Sequence, residues 1–321
     1  MPQGTHKADD RAGDSKLNRR TFIAAATAAG ATGVGLNLAS KASGSPSPKP
    51  RGDKVRWRIQ AQRIEKTFND GSTVPYFRYV SVGNTPSNGE LPLLRGQAGR
   101  EVTISVENLL DFPIQPDIRG FDSGPVIMPN EKANWKFTMP KQGTWMFTEA
   151  LLGNVAPAIG LGAPLISTFR RTAKRPYFLV YQDADDRWNN AIDNGSVPNE
   201  TLFEPNYHTL NGLSYPHTTM DNDTRISCRL DDTVTLHMIN MSNISHSVHL
   251  HGYHAQITKI NNVANAIFPP KDTFPLAPFS TMELEMHIDQ IGEFPVHPHS
   301  LTSTTDNGLY QGGSVTLIDA V

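Results

Sequence analysis

Shifted against itself by 132 residues, the chain repeats. "REVTISVEN" (100–108) falls on "DTVTLHMIN" (232–240), with Val102 on Val234, Thr103 on Thr235 and Asn108 on Asn240, and without a gap Gly120 falls on Gly252. A second register, offset by 149, lays residues 128–150 on 277–299, with Pro129 on Pro278 and Gly143 on Gly292. Self-similarity of this length marks a duplicated unit. The two copies run from about 55 to 170 and from about 200 to 321, with 171–199 as the connection between them. "VRWRIQ", "EVTISVEN" and "TVTLHMIN" alternate apolar with polar residues, the period of a half-buried strand. The 24 prolines and 25 glycines, with many β-branched residues, favour short strands and turns over long helices. The expected fold is all-β, one unit used twice.

The copies differ where chemistry would sit. Six of the eleven histidines lie in two stretches, "HSVHLHGYH" (246–254) and "EFPVHPHSL" (293–301). At the positions of His246, His249 and His251 the first copy has Ile114, Asp117 and Arg119. At those of His297 and His299 it has Thr148 and Ala150. Residues i and i+2 of a strand point to the same face, roughly 6.5–7 Å apart along it. His249 with His251, and His297 with His299, are therefore two imidazole pairs, and neighbouring strands would bring all four rings together. A set of neutral imidazoles without a carboxylate suits copper or zinc better than calcium, magnesium or manganese. His246 and His254 are open as helpers or as ordinary packing residues. His208, His217, His237 and His287 are scattered singly and read as structural.

"HSVHLHG" resembles the H-x-x-H-x-H-G motif of multicopper oxidases, the laccase-like cupredoxin proteins. "EFPVHPHSLTSTTDNGLYQGG" resembles their terminal H-C-H motif with the glycine-rich strand after it. "ENLLDFPIQPDIRGFD", "KQGTWMF" and "YHTLNGLSYPHT" are similar to the connecting strands of two-domain members. The resemblance covers most of the chain beyond its N-terminal segment. It implies two cupredoxin-like Greek-key β-sandwich domains in tandem, copper as cofactor, and a homotrimer like that of two-domain laccases and copper nitrite reductases. It assigns His249, His251, His297 and His299 to one half of a three-copper cluster and His246 to a separate blue-copper centre. In a trimer the half-cluster would face Asp117 and Arg119 of a neighbouring subunit. Two departures stand out. Pro298 replaces the cysteine that holds blue copper and feeds electrons to the cluster, and Ser303 replaces the next histidine. Cys228, the single cysteine, lies before the first motif and does not replace that thiolate. Proline restricts itself and its predecessor to extended geometry, so it would stiffen the pair His297 and His299 while removing the sulfur.

Residues 1–42 read as an export signal: Arg19 and Arg20, a mildly apolar Ala/Gly-rich stretch, and small residues up to Ala42. The arginine pair before Thr21 and Phe22 resembles the twin-arginine type, which implies a periplasmic or otherwise exported protein. Residues 43–54 form a Pro/Ser-rich linker. Residues 1–42 carry six basic and three acidic side chains, so without them the chain has 23 basic and 28 acidic groups and a net charge of −5. That balance disfavours nucleic acid or an anionic membrane as partner. The body of the chain has no apolar run of about eighteen residues that would insert in a membrane. Three functions fit these features. The first is an exported copper-binding protein with an all-histidine site and no blue-copper centre. The second is a copper-dependent oxidoreductase acting at that reduced site, by a route other than the standard laccase one. The third is a metal-free cupredoxin scaffold serving an envelope partner.

Overall fold

A computed structural model describes residues 56–169, 176–264 and 268–321 of the chain. The export segment at 1–42 and the linker at 43–54 lie outside the described residues. Among the described residues no helix is long and apolar enough to cross a membrane.

The alternating segments form strands, and their periodicity decides which face goes inward. In Glu101–Asn108 the buried residues are Val102, Ile104, Val106 and Asn108; in its repeat partner, Thr233–Asn240, Val234, Leu236 and Met238 point into the core. Four main sheets result among the described residues. The first half has a four-stranded sheet, ordered Thr73–Ser81, Arg56–Thr67, Glu101–Asn108, Lys132–Thr138. It faces a five-stranded sheet ordered Leu94–Gln97, Ala163–Thr168, Gly143–Glu149, Pro116–Ile118, Asp122–Ser123. The second half repeats this order. Tyr207–Leu210, Tyr177–Ala184, Thr233–Asn240 and Thr281–His287 form one sheet, extended by Ala255–Ile260 and Val263–Ala264. The other is ordered Ile226–Cys228, Thr316–Ala320, Gly292–Pro298, His246–Leu250, Thr273–Leu276. Each sheet pair encloses its own apolar cluster, one around Ile104, Phe147 and Leu165, the other around Leu236, Phe274 and Ile318. Full burial of each such side chain contributes about 1.5–3 kcal/mol.

The stretch expected to be a connection, 171–199, is not one throughout. Tyr177–Ala184 is a central strand of the second half, pairing with Thr233–Asn240 in parallel and with Tyr207–Leu210 antiparallel. All eight of its residues are buried. Tyr177, Leu179 and Tyr181 face the second core, while Phe178 and Val180 join Met146, Ile166, Ile239 and Met241 in an apolar seam between the halves. A strand buried on both faces shows no alternation, which is why periodicity does not reveal it. The helix Asp186–Asp193 follows, capped by the Asp185 carboxylate, and packs Trp188 and Ile192 back on the first core.

The repeated asparagine has a physical role. Asn108 donates to the carbonyls of Phe112 and Ile127 and accepts from Leu110 N–H. Asn240 donates to the carbonyls of Ile244, Leu276 and Ala277 and accepts from Ser242 N–H. Each side chain thus shapes the turn that delivers the chain to the next strand of the opposite sheet.

Candidate metal centre

His246–Leu250 and Gly292–Pro298 are antiparallel neighbours, with His249 directly opposite His297. Pairing continues past both strand ends, because His251 N–H donates to Pro295 O at 3.0 Å and His299 N–H to Ser247 O at 2.7 Å. All four imidazoles therefore gather on one face. Ring centroids are 4.6 Å apart for His249 and His251, 4.8 Å for His249 and His299, and 5.1 Å for His251 and His297. His249, His251 and His297 are half-buried and His299 is exposed.

Hydrogen bonds select the tautomers. His297 Nδ1 lies 2.9 Å from Pro298 O, a group that only accepts, so Nδ1 carries the proton and Nε2 the lone pair. Thr273 Oγ1 donates to Asp272 Oδ1, so His249 Nδ1, 3.0 Å away, is the donor to Thr273 and its Nε2 is also free to ligate. Asp272 and Thr273 thereby orient a candidate ligand, the usual office of groups behind metal-binding histidines. Nothing in their sequence context singles them out. Burial, with the three neighbouring imidazoles adding to it, holds the His251 pKa below its ordinary value, which favours the neutral ring.

The donor set fits an imidazole-held metal in part. His251 Nε2 and His297 Nε2 are 3.0 Å apart. Two nitrogens bound at ~2.0–2.1 Å and at a right angle are roughly 2.9 Å apart, so this pair suits adjacent positions on one ion. Among the described residues no three His, Cys, Asp or Glu side chains are arranged to hold a single ion. The four rings form one wall of a site and leave other coordination positions open.

The residue between each pair faces the other way. Pro298 opposes Val248 and is buried in the sandwich, on the same side as His246. There His246 Nε2 is 2.8 Å from Asp183 Oδ2, and His208 Nδ1 is 2.6 Å from Asp183 Oδ1. Burial alone would raise the Asp183 carboxyl; His246 and His208 outweigh it and hold it well below the usual carboxylate range. His246 is thus tied to a carboxylate rather than joined to the four-ring face. The missed signal was Asp183 itself, a charge inside the apolar strand "YFLVYQDA". Cys228 is buried in the edge strand Ile226–Cys228, separated by Thr316–Ala320 from Gly292–Pro298. His254, His217 and His287 are exposed, and His237 lies in the seam between the halves, 2.9 Å from Thr144 Oγ1.

Asp117 and Arg119 are engaged within the chain. Asp117 opposes Thr148, as His249 opposes His297, and accepts from Ser123 Oγ at 2.7 Å. The Arg119 guanidinium lies 4.1 Å over the Phe279 ring of the second half and donates to Asn154 Oδ1.

Residues 186–313 match the family model described as multicopper oxidase. The match covers less than half of the chain, which is thus similar to multicopper oxidases in that region. Members of that family bind copper. Among solved structures, the blue copper oxidase from Nitrosomonas europaea is similar at a TM-score of 0.71 and 22% identity, covering 84% of this chain and 86% of that one. The multicopper oxidase mgLAC gives 0.69 and 19%, covering 83% and 86%. The copper nitrite reductase from Nitrosomonas europaea gives 0.61 and 15%, covering 84% and 94%. At these identities the likeness is one of fold: mostly strands, in cupredoxin-like β-sandwiches. A search of curated protein sequences finds no match.

Proposed function

We propose that this is an exported copper-binding protein that holds copper on the face formed by His249, His251, His297 and His299 and has no blue-copper centre. The observation that carries the reading is the convergence of four imidazoles, two with Nε2 freed by fixed Nδ1 bonds, in a chain similar over residues 186–313 to a family that binds copper. His251 and His297 are the pair suited to one ion, and His249 and His299 flank them. Pro298 supports the absence of a blue-copper centre, because it carries no thiolate, and His246 is committed to Asp183. Copper held only by imidazoles, with open positions, supplies a Lewis-acidic and redox-active centre. The chain's own contribution is to fix the tautomers through Pro298 O and Thr273. It also stiffens the second pair with a proline.

A second reading, a copper-dependent oxidoreductase at the same face, is favoured by those open positions. The decisive experiment is the metal content of protein purified from the periplasm of copper-supplemented cells, beside a His297→Ala/His299→Ala double variant. Copper in the parent and none in the variant supports the site. Copper in neither overturns both copper readings and leaves a metal-free scaffold; equal copper in both overturns this assignment of the ligands. Recovery of the protein from the periplasm, lost on Arg19→Lys/Arg20→Lys substitution, checks the export reading separately.

A further inference from the structure

Between the halves lies a cavity of about 240 Å³, walled by Arg119, Lys141, Thr144 and Trp145 from the first half and by Asn262 and Phe279 from the second. Arg119 is half-buried there. Its guanidinium lies over the Phe279 ring and gives one hydrogen bond, from Nη2 to Asn154 Oδ1 at 3.0 Å. Among the described residues it forms no ion pair. The lining contains no Asp or Glu, and Asp117, two residues earlier, accepts from Ser123 Oγ at 2.7 Å. Burial holds the Arg119 pKa below its ordinary value, with the charge of Asp117 opposing the shift. Lys141 adds a second, exposed positive charge to the wall. Partly buried charges are ordinarily paired, so this is a place short of an anion.

The walls are held in place. Asn262 accepts from Thr144 N–H at 2.7 Å and donates to Thr144 O at 2.9 Å, which ties one half to the other. Trp145 Nε1 donates to Lys141 O at 3.1 Å, so the indole has no donor left and lines the cavity through its ring. The lining also defines the ligand. With Phe279 across one face, Arg119 offers its remaining donors in its own plane, the arrangement that takes a carboxylate through two parallel bonds. Trp145 offers ring surface to a flat body. The volume is below the roughly 300–1,000 Å³ of drug-sized pockets, so the ligand is small.

We propose that this cavity binds a small planar monocarboxylate, its carboxylate paired with Arg119 and Lys141 and its flat body lying on Trp145. The site lies in the first half and needs no copper.

The test is calorimetric or NMR titration of the full chain, purified without added copper, with benzoate and, separately, with benzamide, a neutral molecule of the same shape. Benzoate binds saturably at one site per chain, and benzamide about tenfold more weakly or worse. Arg119→Gln and Lys141→Glu each weaken benzoate by about tenfold or more. Lys136→Glu, the same charge reversal at an exposed lysine outside the cavity, leaves it unchanged. Lys141 is exposed, so its variant folds even if the loss of Arg119 from the seam is not tolerated. Benzoate that does not bind the folded parent overturns the proposal. So does benzamide binding as tightly as benzoate, or benzoate binding that Lys141→Glu leaves unchanged. Inorganic phosphate that competes on equal terms overturns the planar assignment, and benzoate uptake seen only after copper is added places the carboxylate on the metal instead.

Discussion

At the end of Gly143–Glu149 and at the end of Gly292–Pro298 the backbone does the same thing with different side chains. Ala150 N–H donates to Gln115 O in the first half, and His299 N–H to Ser247 O in the second. Thr148 opposes Asp117 as His297 opposes His249. In the first half Glu149 occupies the position of Pro298, and its buried carboxylate accepts from the N–H groups of Gln115, Leu151 and Leu152. Burial pushes this carboxyl up to about 7, the three N–H groups only partly offsetting it. One half has used the strand end to tie down its own loop, and the other leaves it free to present imidazoles. The scaffold and the site are separable: register and turns survive a complete exchange of the residues that could hold metal.

The largest test of that separation is to write the first half's residues into the second. His297→Thr with His299→Ala should abolish copper uptake, from about one ion per chain to background. Near-ultraviolet dichroism should be unchanged, because Thr148 and Ala150 already occupy these backbone positions. Retained copper, or a lost fold, would break the comparison. Next come the paired asparagines. Asn108→Ala and Asn240→Ala should each cost about 3 kcal/mol in denaturant unfolding, since each orphans several buried backbone groups. Markedly unequal costs would mean that the two turns are not equivalent.

Smaller effects separate the halves. Gly120 and Gly252 share positive φ, +73° and +75°, but a Cβ at Gly252 would meet the Phe294 ring at 2.5 Å and one at Gly120 meets nothing within 4 Å. Gly120→Ala should therefore cost about 1 kcal/mol, from backbone alone, and Gly252→Ala distinctly more. Thermal unfolding of the pair measures the difference. The seam responds to pH. Burial lowers the His237 imidazole from 6.5 to about 4, with Glu283 opposing the shift. The unfolded chain therefore takes up the proton first. The contribution of this residue is complete above pH 6.5 and is lost as pH falls from 6.5 towards about 4. Unfolding temperatures measured across that window should fall less steeply for His237→Gln than for the parent.

Several of these features can be read from residues alone. The offsets of 132 and 149 align Glu101–Asn108 with Thr233–Asn240, Lys132–Thr138 with Thr281–His287 and Gly143–Glu149 with Gly292–Pro298, element for element. The same alignment singles out four histidines that have no counterpart in the first half. Periodicity misses Tyr177–Ala184 because a strand packed on both faces has none. It also misses Asp183 and Thr273, because their importance lies in partners that come from other strands.

By itself, then, the sequence determined the duplication, the strand phase and the residue types at the site. These depend on local alternation and on side-chain chemistry, both of which are written along the chain. Only the tertiary structure decided that the two histidine strands are neighbours with His249 opposite His297, and that His246 belongs to Asp183. It alone decided that, among the described residues, a cavity lined by Pro295, Val315 and Leu317 lies beside the rings. Those are facts of sheet order and packing, which bring together residues dozens of positions apart and leave no period in the sequence.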